Sequence, residues 1–180
     1  MTDALIVIDM QRGLFAGPEG PPHHSEAVLH QICALIARAR AARAPMFFIQ
    51  HEGEPGDALE PGTPGFDLLP ELAPRPLEPV IRKKHCSMFQ RTGLITHITE
   101  HGVTRLVICG MATDYCVDTS VRSAFERGFE VTLASDGHTT HDNDHLTGEA
   151  TIRHHNAVLA NGGFAKVIPA DKITFVTRLP

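Results

Sequence analysis

Arg105-Leu106-Val107-Ile108-Cys109-Gly110-Met111-Ala112-Thr113-Asp114-Tyr115-Cys116-Val117 is the stretch that decides the fold. Its first five residues form the apolar run expected of a strand buried on both faces. Gly110 opens a turn. Val117, Val121 and Ala124 then recur at helical spacing until Gly128, which stands where a left-handed residue ends a helix. A buried strand that turns straight into an amphipathic helix is one unit of a strand–helix–strand protein.

The same unit repeats on either side. Ala4 to Ile8 is a second continuous apolar run. After a Gly/Pro-rich loop from Gly13 to Pro22, Ser25 can cap a helix marked by Val28, Ile32, Leu35, Ile36 and Ala39 and closed by Pro45. Met46 to Ile49 and Pro79 to Arg82 read as strands, with a long loop from His51 to Pro64 between them. Leu94, Ile95 and Ile98 mark a helix between Thr92 and Gly102. Strands are expected at Glu130 to Ala134 and Ala165 to Ile168, and a helix from about Asn143 to Ala160. Six strands alternating with helices predict one α/β domain over residues 1–180. Its sheet is doubly wound and mostly parallel, with helices on both faces in three α/β/α layers. Ligands of such sheets bind beyond the carboxyl ends of the strands.

Composition narrows the class of function. The chain has 180 residues, 42% of them hydrophobic, which is enough for a single packed core. Net charge is −5, with 16 basic and 21 acidic residues interspersed. No basic run exceeds Arg82-Lys83-Lys84, so no nucleic-acid partner is expected. No apolar run approaches the roughly 20 residues that span a bilayer, so no membrane partner is expected either. Ala4 to Ile8 follows Met1-Thr2-Asp3 without a basic n-region or small-residue cleavage site. A cytoplasmic setting is the resulting expectation. The four cysteines form no C-x-x-C pair and read as thiols.

Three polar features fall at strand carboxyl ends. Asp9 ends the first strand, Lys83 ends the third, and Gly110 to Cys116 follows the fourth. With Thr113 or Asp114 as N-cap, Cys116 lies in the first helical turn. Free N–H groups and the helix dipole there favour a thiolate and can hold an oxyanion. Asp9 can take the thiol proton and Lys83 can steady negative charge. Taken singly, each has a plainer reading: a buried structural Cys, an Asp that caps a turn or pairs with Arg12, and a solvated Lys.

Together, Ile8-Asp9-Met10-Gln11, then Ile81-Arg82-Lys83 with Ser87 and Phe89, then Gly110 to Val117, resemble the isochorismatase-like cysteine hydrolases. Nicotinamidases, N-carbamoylsarcosine amidohydrolases and ureidoacrylate amidohydrolases belong to that family. The resemblance runs from about residue 3 to residue 168. It implies Asp9 as general base, Lys83 as charge stabiliser and Cys116 as nucleophile, with a thioester intermediate on Cys116. Lys83 is preferred to Lys84 because it stands four residues before Ser87. The resemblance also implies a cis peptide at Met111–Ala112 and an oxyanion hole from the N–H groups of Ala112 and Cys116. It implies a homodimer or tetramer as well, and the apolar tail Ile173 to Val176 would gain by burial against such a partner.

The chain departs from the family's nicotinamidases, which carry Asp-x-His and a further His as metal ligands. Here that stretch reads Gln50-His51-Glu52-Gly53, so no metal or other cofactor is expected. His138, His141, His145, His154 and His155 do not make a convincing ligand set, although one can border the pocket. Isochorismatases proper generally lack the nucleophilic Cys. Its presence favours hydrolysis of a C–N bond in a small amide, ureide or carbamoyl substrate over vinyl-ether hydrolysis. A non-catalytic binding protein and a Cys86–Cys116 redox sensor are the remaining readings. Gln11, Phe15, His51, Phe89 and Tyr115 are expected to line the substrate pocket, with Phe66 as a further apolar wall.

Overall fold

A computed structural model describes residues 2–17 and 20–177. Its centre is β1 (Asp3–Ile8), every residue of which is buried. Alternation splits the strand between two cores. Ala4, Ile6 and Ile8 face one side and Leu5 and Val7 the other. β1 pairs in parallel with β2 (Met46–His51) and β4 (Arg105–Met111). β3 (Val80–Lys83) extends the sheet beyond β2, and β5 (Glu130–Thr139) and β6 (Lys166–Ile168) extend it beyond β4. The order is β3-β2-β1-β4-β5-β6 and every pairing is parallel. The expected doubly wound α/β sheet is therefore present, wholly rather than mostly parallel.

Helix α1 (Ser25–Ala41) covers one face through Val28, Ile32, Leu35, Ile36 and Ala39. Helices α2 (Leu94–Glu100), α3 (Asp118–Glu126) and α4 (Gly148–Asn161) cover the other through Leu94, Ile98, Val121, Ala124 and Leu159. Each such fully buried aliphatic side chain contributes roughly 1.5–3 kcal/mol. No helix among the described residues is long and apolar enough to cross a membrane.

Several local expectations fail. Ser25 does not cap α1. His24, left-handed at φ 48°, precedes the helix, and the Ser25 N–H donates to the Pro22 carbonyl. Helix α4 starts at Gly148, five residues late, because the Asn143 carboxamide oxygen accepts the N–H groups of His145 and Leu146 and holds a turn. Thr147 caps the helix instead, accepting the Ala150 N–H at 3.2 Å. Within the expected apolar tail, Ile173 is buried in the α1-side core of its own chain, while Val176 is 51% exposed.

The sheet order reverses between β1 and β4, and ligands of such sheets bind beyond the carboxyl ends at that point. Gly110 makes the junction possible. Its φ is +123°, and a Cβ would lie 2.1 Å from the Ile8 carbonyl oxygen. Gly110→Ala should therefore cost at least about 3 kcal/mol, combining backbone strain and overpacking. Urea unfolding measures this, and a loss under about 0.5 kcal/mol would count against the tight β1–β4 approach.

Candidate active site

Asp9 directly follows β1 at a left-handed φ of 49°. Lys83 is the last residue of β3 and is only 2% exposed, whereas Lys84 is exposed. Cys116 sits in a π-helical turn, Thr113–Val117, between β4 and α3. The Met111–Ala112 peptide bond before it is cis. These three side chains meet. Lys83 Nζ lies 2.6 Å from Asp9 Oδ2 and 3.1 Å from Cys116 Sγ. It also lies 3.1 Å from His51 Nδ1.

An ammonium group has three N–H donors, and here each faces one acceptor. That fixes the His51 tautomer. Nδ1 accepts from Lys83, so the ring proton is on Nε2. Burial, and then the Lys83 charge, push His51 below its usual range and keep the ring neutral. Among the described residues, Asp9 Oδ1 is buried and has no hydrogen-bond partner. An open acceptor of this kind is costly to bury, and it is what a proton acceptor needs.

The expectation of a thiolate favoured at Cys116 is corrected. Burial, then the adjacent Asp9 carboxylate, raise the thiol pKa, and Lys83 offsets this only in part. Burial also raises Asp9 above the ordinary carboxylate range, against the pull of Lys83. Lys83 is held above its usual value: burial opposes its charge, but Asp9 and Cys116 outweigh it. Burial thus favours the neutral thiol at Cys116, beside the Asp9–Lys83 pair.

The cap expectation is corrected too. Ala112, extended, precedes the turn, and no side chain caps it. Both candidate caps are engaged by β5 and the residue after it instead. Thr113 Oγ1 is 2.8 Å from His138 Nδ1, and Asp114 Oδ1 accepts from Thr140 Oγ1 at 2.6 Å. The N–H groups of Tyr115 and Val117 both donate to the Ala112 carbonyl. The Cys116 N–H between them does not share that acceptor.

Of the other expected pocket residues, His51 is hydrogen-bonded to this centre. Gln11 is fully buried and clamps backbone: its carboxamide binds both the N–H and the carbonyl of His51 and the Phe66 carbonyl. Phe66 is itself buried, with the Arg82 guanidinium over its ring. Phe89 is a core residue stacked on Phe129. Phe15 is half-buried against the α1-side core, and Tyr115 is 60% exposed. The histidine-rich stretch scatters. His141 faces the Leu14 carbonyl, His155 the Thr151 carbonyl, and His145 is exposed.

Among the described residues, the group with metal-ligating potential is Asp9, His51 and Cys116, whose donor atoms lie within 4.8 Å of one another. Lys83 Nζ is bonded to all three and so takes the place a cation would need. The residues present therefore do not fit a metal.

Thr113, His138 and Asn156 form a chain the sequence did not reveal. The signal for it is a bulge in β5. Leu133 pairs with Ile108 and His138 with Gly110, so residues 134–137 stand opposite Cys109 alone. Buried His138 has its pKa pushed down to about 4, chiefly by burial, with the Asn156 hydrogen bond opposing and the His155 charge adding to the fall. Between pH 6.5 and about 4 only the unfolded chain binds this proton. The contribution is thus complete above pH 6.5 and is lost as pH falls through that window, by about 3 kcal/mol in all. The stability advantage of wild type over His138→Asn should shrink by about 2–3 kcal/mol between pH 7 and 4.5. Denaturant titrations at the two pH values test this, and a constant difference would contradict it.

The fold and this cluster of side chains place the chain in a known class of α/β proteins, and residues 3–163 match the isochorismatase domain. The chain belongs to the isochorismatase family. It is similar to a streptothricin hydrolase of Streptomyces noursei, 40% identical over 139 residues, which are 77% of this chain and 55% of that protein. It is also similar to nicotinamidase 3 of Arabidopsis thaliana, 28% identical over 94% of this chain and 86% of that one. The crystal structure of an isochorismatase from Pseudomonas putida KT2440 superposes with a TM-score of 0.91 at 28% identity, covering 96% of this chain and 90% of that one. The chain spans about half the length of the streptothricin hydrolases it matches.

Proposed function

We propose that this protein is a cysteine hydrolase that cleaves a C–N bond in a small amide, ureide or carbamoyl compound. The observation that carries the reading is the Lys83 ammonium, which touches Asp9 Oδ2, Cys116 Sγ and His51 Nδ1 at 2.6, 3.1 and 3.1 Å. A binding protein has no use for a buried carboxylate, ammonium and thiol in mutual contact, and such groups are costly to bury.

In this mechanism the Cys116 sulfur adds to the substrate carbonyl carbon while its proton passes to Asp9. The high thiol pKa makes that transfer part of the attack rather than a step before it. The oxyanion is met by the N–H groups of Ala112 and Cys116. The C–N bond then breaks, the amine leaves with the proton from Asp9, and the acyl group stays on sulfur as a thioester. Asp9 next deprotonates water, which adds to the thioester. The acid departs and the thiol is restored. The Lys83 charge balances Asp9 and the sulfur throughout. His51 Nε2–H serves as a neutral donor to a substrate oxygen.

The test is ammonia or amine release from a panel of nicotinamide, N-carbamoylsarcosine, ureidoacrylate, simple amides and streptothricin, with isochorismate alongside. Release from a C–N substrate supports the reading, and turnover of isochorismate alone would replace it with vinyl-ether hydrolysis. Dialysis against EDTA should leave the rate unchanged, because Lys83 fills the cation position. Loss of activity with recovery on adding zinc would overturn the metal-free reading. Activity should fall in acid with an apparent pKa above the usual 3.8 of Asp, since burial raises Asp9.

A further inference from the structure

The β5 bulge delivers a fully buried imidazole to the back of the turn that carries the nucleophile. Ser135 lends its carbonyl to Asn156 Nδ2 at 2.9 Å. Asp136 Oδ1 accepts the Ala170 N–H at 2.7 Å. Gly137 has no room for a side chain, since a Cβ would lie 2.7 Å from that of Ala134. His138 then stands beside Gly110, and Thr139 beside Met111. The bulge is thus held at each residue that shapes it, and its product is the position of His138.

The hydrogen bonds around His138 admit one proton order. Asn156 Nδ2 is committed to the Ser135 carbonyl, so its Oδ1, 2.9 Å from His138 Nε2, accepts. Nε2 carries the ring proton, and Nδ1 accepts from Thr113 Oγ1 at 2.8 Å. His138 and Thr113 are 1% and 0% exposed, so water does not compete for these bonds. Thr113 directly follows Ala112, whose amide the mechanism uses. The chain runs from α4, through an imidazole, to the first residue of the turn.

Resting on the cysteine-hydrolase reading, we propose that Asn156, His138 and Thr113 are positioning residues. They hold the backbone amides of the Ala112–Cys116 turn on the developing oxyanion, without contacting substrate and without tuning the thiol. Alkylation by iodoacetamide needs the sulfur but no oxyanion hole, whereas acylation needs both. The two reactions therefore separate amide placement from thiol reactivity and from general damage.

The experiment follows the burst of p-nitrophenol from p-nitrophenyl acetate in the full chain. In that reaction the Cys116 sulfur adds to the ester carbonyl, p-nitrophenolate leaves with the bonding electrons, and the thiol proton goes to Asp9. Alkylation of Cys116 by iodoacetamide is measured in parallel. Thr113→Val and Asn156→Leu should slow the burst about tenfold or more. Alkylation should stay within about twofold of wild type. Thr113→Ser should recover most of the burst rate, because it returns the hydroxyl. Equal losses in burst and alkylation, or no loss in either variant, would overturn the assignment while leaving the hydrolase reading intact. Absence of a wild-type burst on Cys116 would overturn the hydrolase reading and this assignment with it.

Discussion

Cys116→Ala is expected to fold as wild type does and to lose at least about 10³-fold in kcat on the best amide of the panel. The side chain is half-buried and packs against the α2–α4 side of the core, where Ala leaves only a small gap. Its chemical loss is far larger than its structural one. Without sulfur there is no covalent route, and Asp9 alone must activate water. Cys116→Ser should fare little better, because a hydroxyl is still harder to deprotonate than this thiol. Steady-state kinetics with a thermal melt as control decide the matter. Near-native turnover in purified Cys116→Ala would remove the nucleophile from the mechanism.

Lys83→Met is the second large effect. The side chain is buried, and its loss strands the Asp9 carboxylate without its partner at 2.6 Å. Breaking a buried pair in this way costs about 3–5 kcal/mol when the remaining charge must stay. Asp9 can escape part of that cost by taking a proton. Its pKa is already raised by burial and loses the lowering influence of Lys83 in the variant. The deficit should therefore be smallest in acid and grow as pH rises through the variant's Asp9 pKa. Activity near neutral pH should drop at least about 10²-fold, since a protonated Asp9 is no base. Cys116 should alkylate more slowly, because Lys83 is the group that lowers its pKa. Lys84 is exposed, so Lys84→Met is the matched control. Slower alkylation in Lys84→Met together with wild-type behaviour in Lys83→Met would transfer the role to the neighbouring lysine.

What could be read from the chain before its structure depended on range. β1 and β4 announce themselves because continuous apolar runs have few other uses. Asp9 stands out as the polar residue that ends an apolar strand, and Cys116 by its place in the turn between a buried strand and a helix. The lower half of β5 was missed because Ser135-Asp136-Gly137-His138-Thr139 is polar and bulged, so no period of two survives. The cap of the Cys116 turn differs from expectation because bonds across the fold replace local ones. Thr113 serves His138, and Asp114 serves Thr140. The direction of the thiol pKa was misjudged for a related reason. A helix start and a nearby lysine are visible in sequence, but the desolvation that outweighs them is a property of the folded packing around Cys116. Gln11 and Phe89 lie near strand ends, as pocket residues do, and only packing shows one to be a backbone clamp and the other a core ring.

The central claim is that an acyl group passes through Cys116. Acid quenching during turnover of the best amide substrate, followed by peptide mass mapping, tests it most directly. The account predicts that the peptide bearing Cys116 gains the mass of the substrate acyl group. That species should form at the rate of amine release and be absent in Cys116→Ala. Continued turnover with Cys116 unmodified in every quenched sample, under conditions where amine release outpaces acid release, would contradict it.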